Sequence, residues 1–163
     1  MKRLIITMTI CLMTFCIQAQ TTNGNTSAGY TDLGLPSGTK WKNFNATGYY
    51  TFDHAKERFG RRIPTQAQWE ELVEECQWTW KGNGYTIKGP NGNSIFLPAD
   101  GYRTCKGKEN GIGYCGCYWS STLYYSSDDT DTAVYFDFDI NEIYMTPREF
   151  CRGYSIRLVQ NDL

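Results

Sequence analysis

Only one histidine, His54, occurs in the 163 residues. A Ser-His-Asp triad or a Cys-His pair needs an imidazole base beside its nucleophile. No nucleophile motif accompanies His54, which reads as a surface residue near the start of a helix. Gly34-Leu35-Pro36-Ser37-Gly38 misses the G-x-S-x-G elbow because its serine is displaced by one. An excess of either charge is also lacking, with 16 Lys+Arg against 17 Asp+Glu and a formal net charge of −1. Neither nucleic acid nor an anionic membrane surface has an electrostatic reason to bind such a chain. Long apolar runs are scarce too. The longest, Leu4 to Ile17, counts 14 residues, where a membrane-spanning helix needs roughly 20.

That run follows Lys2-Arg3 and precedes the small residue Ala19, the layout of a secretory signal peptide. The reading is a signal over 1–19 cleaved after Ala19, a flexible leader over 20–29, and a single folded domain over 30–160. The mature chain is then expected outside the cytoplasm, secreted, periplasmic or on the cell surface, with no membrane insertion after cleavage. Export carries cysteines into oxidising conditions. Once Cys11 and Cys16 leave with the signal, Cys76, Cys105, Cys115, Cys117 and Cys151 remain. An odd count leaves at least one thiol free or paired between chains.

What is present in quantity is glycine (16) and tyrosine (12), with 5 Trp, a composition of short strands, tight turns and aromatic surfaces. Two helices come early. Thr51 can cap the first, Asp53 and then Lys56 and Arg58 complement its dipole, and Gly60 stops it. In RIPTQAQWEELVEEC, Thr65 and Gln68 form a capping-box pair. Trp69, Leu72, Val73 and Cys76 then make a buried stripe. Glu70, Glu71, Glu74 and Glu75 read as a solvated face rather than an acid-base or metal site. Thereafter the period is two. Strands are predicted over 39–44, 85–88, 94–98, 118–122, 132–139, 142–146 and 154–159, with a hairpin turn over 89–93. In the 132–139 strand, Val134, Phe136 and Phe138 should be buried and Tyr135, Asp137 and Asp139 wet. Helices first and strands later make an α+β fold with antiparallel sheet.

Several blocks in order carry a family resemblance: YTDLGLPSGTKW, GYYTFDHAKERFGRRIPTQAQWEEL, GPNGNSIFLPADGYR, YWSST and YSIRLV. Over roughly Tyr30 to Val159 the chain resembles the Fibrobacter succinogenes major paralogous domain family. RIPTQAQWEEL and SIRLV also look like blocks of the formylglycine-generating, sulfatase-modifying branch of the C-type-lectin-like fold. The resemblance implies two helices packed on twisted antiparallel sheets, and no established activity. The segment from YWSST through YSIRLV is similar to the variable region of retroelement receptor proteins, which bind ligands through surface residues near the C-terminus. It departs from that region in having few Asn and several Asp. The copper-capturing cysteine pair of the formylglycine-generating enzymes does not carry over, because Cys151 stands alone at the matching end.

The sulfurs of TCKGKENGIGYCGC bracket a loop with almost nothing apolar to fold around. A disulfide is expected there, Cys105 with Cys117, or Cys105 with Cys115 as runner-up, and Cys76 is expected as a buried thiol. Metal binding by these sulfurs is disfavoured, since C-x-C is an unusual zinc pairing and export favours oxidation. Asp128-Asp129-Thr130-Asp131 reads as a solvated loop ahead of a calcium site. The chain also lacks the E-P-N, Q-P-D and W-N-D sequences of calcium-dependent lectins. No cofactor is expected. Trp119, Tyr124, Tyr125, Tyr135, Asp137, Asp139, Tyr144 and Arg148 remain as the candidate ligand-binding set, because rigid aromatics beside carboxylates suit sugars or polar peptides. The expectation is a non-enzymatic module of the bacterial envelope or surface, binding an extracellular glycan or protein. A sulfatase-modifying-factor-like oxidase and a structural envelope protein are the alternatives.

Overall fold

Thr65 nucleates the best-defined helix. Its hydroxyl accepts from the Gln68 amide at 3.2 Å while the Gln68 side chain accepts from the Thr65 amide at 2.9 Å, closing the capping box that starts α2 (Gln66–Glu75). Trp69 and Leu72 of α2 are fully buried. Glu71 accepts two hydrogen bonds from Ser37, at 2.8 and 2.6 Å, which ties the helix to the Leu35–Gly38 turn. The first helix, α1 (Phe52–Phe59), buries Phe52 and Ala55 and ends at Gly60 with φ of 53°, a left-handed conformation that glycine adopts without steric cost. A short 3-10 turn over Gly60–Arg62 links the two.

The computed structural model describes residues 29–125 and 131–161. Among the described residues, eleven short strands run around the helices. They are β1 (Tyr30–Asp32), β2 (Lys40–Lys42), β3 (Gln77–Trp80), β4 (Gly84–Lys88), β5 (Ser94–Pro98), β6 (Tyr102–Arg103), β7 (Glu109–Asn110), β8 (Gly116–Tyr124), β9 (Thr132–Phe138), β10 (Ile143–Glu149) and β11 (Val159–Gln160). They form sheets ordered β1-β2-β11, β10-β9-β8, β3-β4-β5 and β6-β7, with every strand pairing antiparallel. The architecture is α+β, two helices with several small antiparallel sheets. Among the described residues no helix is long and apolar enough to cross a membrane.

Strand β9 sits between two clusters of buried side chains. Phe136 and Phe138 face Trp69, Tyr85, Leu97 and Tyr118, and the Phe136 and Trp69 rings stack at 4.3 Å. Ala133 and Tyr135 face Phe52, Trp119, Tyr154 and Ile156. The face expected to be wet is therefore covered: Tyr135 is 4% and Asp137 8% exposed. The physical cause is the 150–156 segment. It lays Tyr154 on Tyr135 at 4.6 Å and Phe150 on Phe52 at 4.4 Å. Instead of the regular strand predicted over 154–159, residues 154–158 divide their backbone hydrogen bonds between Tyr50, Ala46 and Lys42 on one side and Cys117 and Trp119 on the other. Arg157 is 1% exposed and binds Asn45 Oδ1, Lys42 O and Phe96 O at 2.7–2.8 Å, clamping three segments together.

The disulfide joins Cys105 to Cys151, which corrects the expected bridge to Cys117. Two backbone hydrogen bonds between Arg103 and Gly153, 2.7 and 2.8 Å, pull the β6–β7 turn against the turn after β10. This sets the two cysteine Cα atoms 5.0 Å apart. Cys76, Cys115 and Cys117 are free thiols. A structural disulfide argues for an oxidising, extracytoplasmic setting.

Candidate functional site

The register of the β10-β9-β8 sheet builds the site. Asp137 pairs with Cys117 on one side and Tyr144 on the other, and Tyr135 pairs with Trp119 and Thr146. Directly opposed residues point to the same face, so Cys117, Asp137 and Tyr144 stand in one cross-strand row. Arg148, opposite Ala133, projects from that face two rows along. Gly116 lets the row form, because a Cβ there would collide with the Phe138 ring. The strand can press onto the core at Gly116 while Cys115 and Cys117 turn to the opposite face.

These side chains line a pocket of about 280 Å³. The Asp137 carboxylate is its best-connected group. Tyr135 and Tyr144 hydroxyls both donate to Asp137 Oδ2 at 2.8 Å, and Cys117 Sγ donates to Oδ1 at 3.5 Å. Cys115 Sγ lies 3.9 Å from Cys117 Sγ. Gly111, at φ 72°, passes so close to that sulfur that a Cβ would overlap it. Burial, then the Asp137 contact, push the Tyr135 hydroxyl far above the usual phenol range. The same causes in the same order raise Tyr144 to about 12. The contact between the two sulfurs moves their pKa values apart: it lowers that of Cys115 and, together with burial, raises that of Cys117.

The rest of the lining is cationic and aromatic. Arg148 lies over the Tyr135 ring at 5.4 Å and Arg152 over Tyr102 at 5.9 Å. Arg152 is paired to Glu149 at 2.9 Å. Among the described residues Arg148 bonds the Pro147 carbonyl alone and has no carboxylate partner.

The structure brings together Tyr135, Asp137, Asp139, Tyr144 and Arg148 from the sequence-predicted set. It separates the others. Trp119 is fully buried, donates from Nε1 to Tyr50 O at 2.8 Å and packs on Tyr154, so it backs a pocket residue without lining the pocket itself. Tyr124 and Tyr125 are exposed at the end of β8, away from the pocket lining. Asp128 and Asp129 lie outside the described residues. His54 is exposed and edges against Tyr50. Reading the sequence missed Cys115, Cys117, Tyr102, Arg152 and Tyr154 as pocket residues. The i, i+2 spacing of the two cysteines at the head of a strand was the available signal, since it places both on one face.

Neither the curated proteins nor the solved structures contain a match to this chain. Residues 80–159, which hold every side chain lining the pocket, match the model of a family described as a domain of unknown function, DUF8237.

Proposed function

We propose that this chain is an exported, non-enzymatic ligand-binding module of the C-type-lectin-like fold. Its pocket takes a hydroxyl-rich, anionic ligand, a glycan of the extracellular or envelope space. One observation carries this reading: a tyrosine-walled pocket that gathers the Asp137 and Asp139 carboxylates with Arg148, a guanidinium without a carboxylate partner among the described residues. Carboxylates accept from sugar hydroxyls, rings cover sugar faces at small entropic cost, and an unpaired guanidinium matches an acidic group. The fold part rests on the RIPTQAQWEEL and YSIRLV blocks together with the α+β architecture.

Screening the purified chain on a glycan array is the direct test. Binding to acidic glycans that Arg148→Ala abolishes is the expected result. Capture of proteins in place of glycans, or binding indifferent to Arg148→Ala, contradicts the reading. The free thiols 3.9 Å apart in the pocket favour a second reading, a modifying oxidase. Dioxygen consumption in the presence of thiol-bearing peptides would reveal it.

A further inference from the structure

Cys115 and Cys117 stay outside the disulfide although the chain is read as exported, and both open onto the pocket. With Asp137 they form a cluster whose ligand atoms all lie within 4.8 Å of one another. Two of the three separations match those around one ion. A tetrahedral zinc with Zn–S near 2.3 Å and Zn–O near 2.0 Å holds two sulfurs about 3.8 Å apart and a sulfur and an oxygen about 3.5 Å apart. The sulfurs here are 3.9 Å apart, and Cys117 Sγ lies 3.5 Å from Asp137 Oδ1.

The surroundings are those of a built site. Tyr135 and Tyr144 both hold Asp137 Oδ2, leaving Oδ1 turned to the sulfurs. Carboxylate ligands of metals are oriented by such outer hydrogen bonds. Gly116 and Gly111 are the positions where a Cβ would disturb the two cysteines' placement, through the Phe138 ring in one case and the Cys115 sulfur in the other.

We propose that Cys115 Sγ, Cys117 Sγ and Asp137 Oδ1 bind zinc(II) on the pocket wall, with the fourth coordination position open to the pocket. Two sulfur ligands exclude calcium and magnesium, which take oxygen. A mixed sulfur and oxygen set at tetrahedral spacing selects zinc. Binding releases the thiol protons to solvent and changes no oxidation state. Two thiolates and a carboxylate on the dication leave one net negative charge, in a pocket that Arg148 and Arg152 also line. The fourth position then accepts water or an oxygen of a bound molecule. A redox-inert ion on these thiols also separates the binding reading from the oxidase reading.

The test uses the purified chain with its Cys105–Cys151 bridge intact and its three free thiols confirmed by counting. Cobalt(II) serves as the spectroscopic probe. One equivalent should give thiolate-to-cobalt charge-transfer bands with tetrahedral ligand-field bands, and one equivalent of zinc should erase them. Zinc should shield Cys115 and Cys117, but not Cys76, from alkylation in the unmutated chain. Cys115→Ser and Cys117→Ser should each lose stoichiometric binding, and Cys76→Ser should keep it. Tyr144→Phe should weaken zinc binding by about 10- to 100-fold through the carboxylate it orients. The proposal is overturned if the fully reduced trio of thiols gives no cobalt bands, or if the bands survive in Cys117→Ser. It is equally overturned if Cys115 and Cys117 are isolated as a disulfide that takes no cobalt after mild reduction. No glycan enters any of these measurements, so the zinc site and the glycan reading stand or fall separately.

Discussion

Asp137 shows how one residue can be placed correctly on a face and wrongly in its surroundings. Alternation along β9 puts Tyr135, Asp137 and Asp139 on one side, and the structure agrees. Polarity then predicts that this side is wet, and there the pattern fails. Tyrosine is apolar over most of its surface, so Tyr154 can lie on Tyr135 while the hydroxyls find Asp137. No local period reports that a segment from elsewhere in the chain will form a lid. Cys76, expected to be buried on the helical stripe, is a half-buried free thiol at the C-cap of α2, its pKa raised to about 11 by burial, with Glu75 and Glu71 adding to the shift. Its ordinary value is 9.0, so the folded pKa is raised. The stability gained by keeping this thiol neutral is therefore full below about pH 9 and is lost as pH rises through about 11. Alkylation of Cys76 followed by mass spectrometry should show a midpoint near pH 11. A midpoint near 9 would mean the thiol is solvated.

Among the elements, α2 was the most legible, because capping box and apolar stripe are local chemistry. Thr65→Ala should cost about 1 kcal/mol of stability in urea unfolding, and a loss too small to resolve would show that the cap is redundant. Strand β10 was foreseen only to Thr146 but runs to Glu149. Pro147 reads as a stop, yet β10 is an edge strand, where a missing N–H on the outer side removes no ladder bond. Strand β3 was not foreseen. It follows α2 at once, with exposed Gln77 and Thr79 alternating with Trp78 and Trp80, too short a run to outweigh the helical signal before it.

For the whole molecule, the Cys105–Cys151 bridge spans 46 residues of sequence, a distance at which no local spacing reports a pairing. A reading based on neighbouring sulfurs chose Cys117, whereas long-range pairing of Arg103 with Gly153 chose Cys151. The bridge fastens the turn carrying Arg152 to the β6–β7 hairpin, next to the pocket wall. Replacing both cysteines by serine should lower unfolding stability by about 2–4 kcal/mol, read from the urea midpoint. It should also weaken ligand binding more than Thr65→Ala does, because only the bridge adjoins the pocket. Equal effects of the two changes on binding would separate the pocket from the bridge.

The central claim is that ligand enters the pocket between the β10-β9-β8 sheet and the 150–156 segment. An amide NMR titration of the folded chain with acidic envelope-type oligosaccharides tests it most directly. Shifts concentrated at Cys115–Cys117, Tyr135–Asp139 and Tyr144–Tyr154 are predicted. Shifts confined to Tyr124 and Tyr125, or a spectrum unchanged at saturating oligosaccharide, would contradict it.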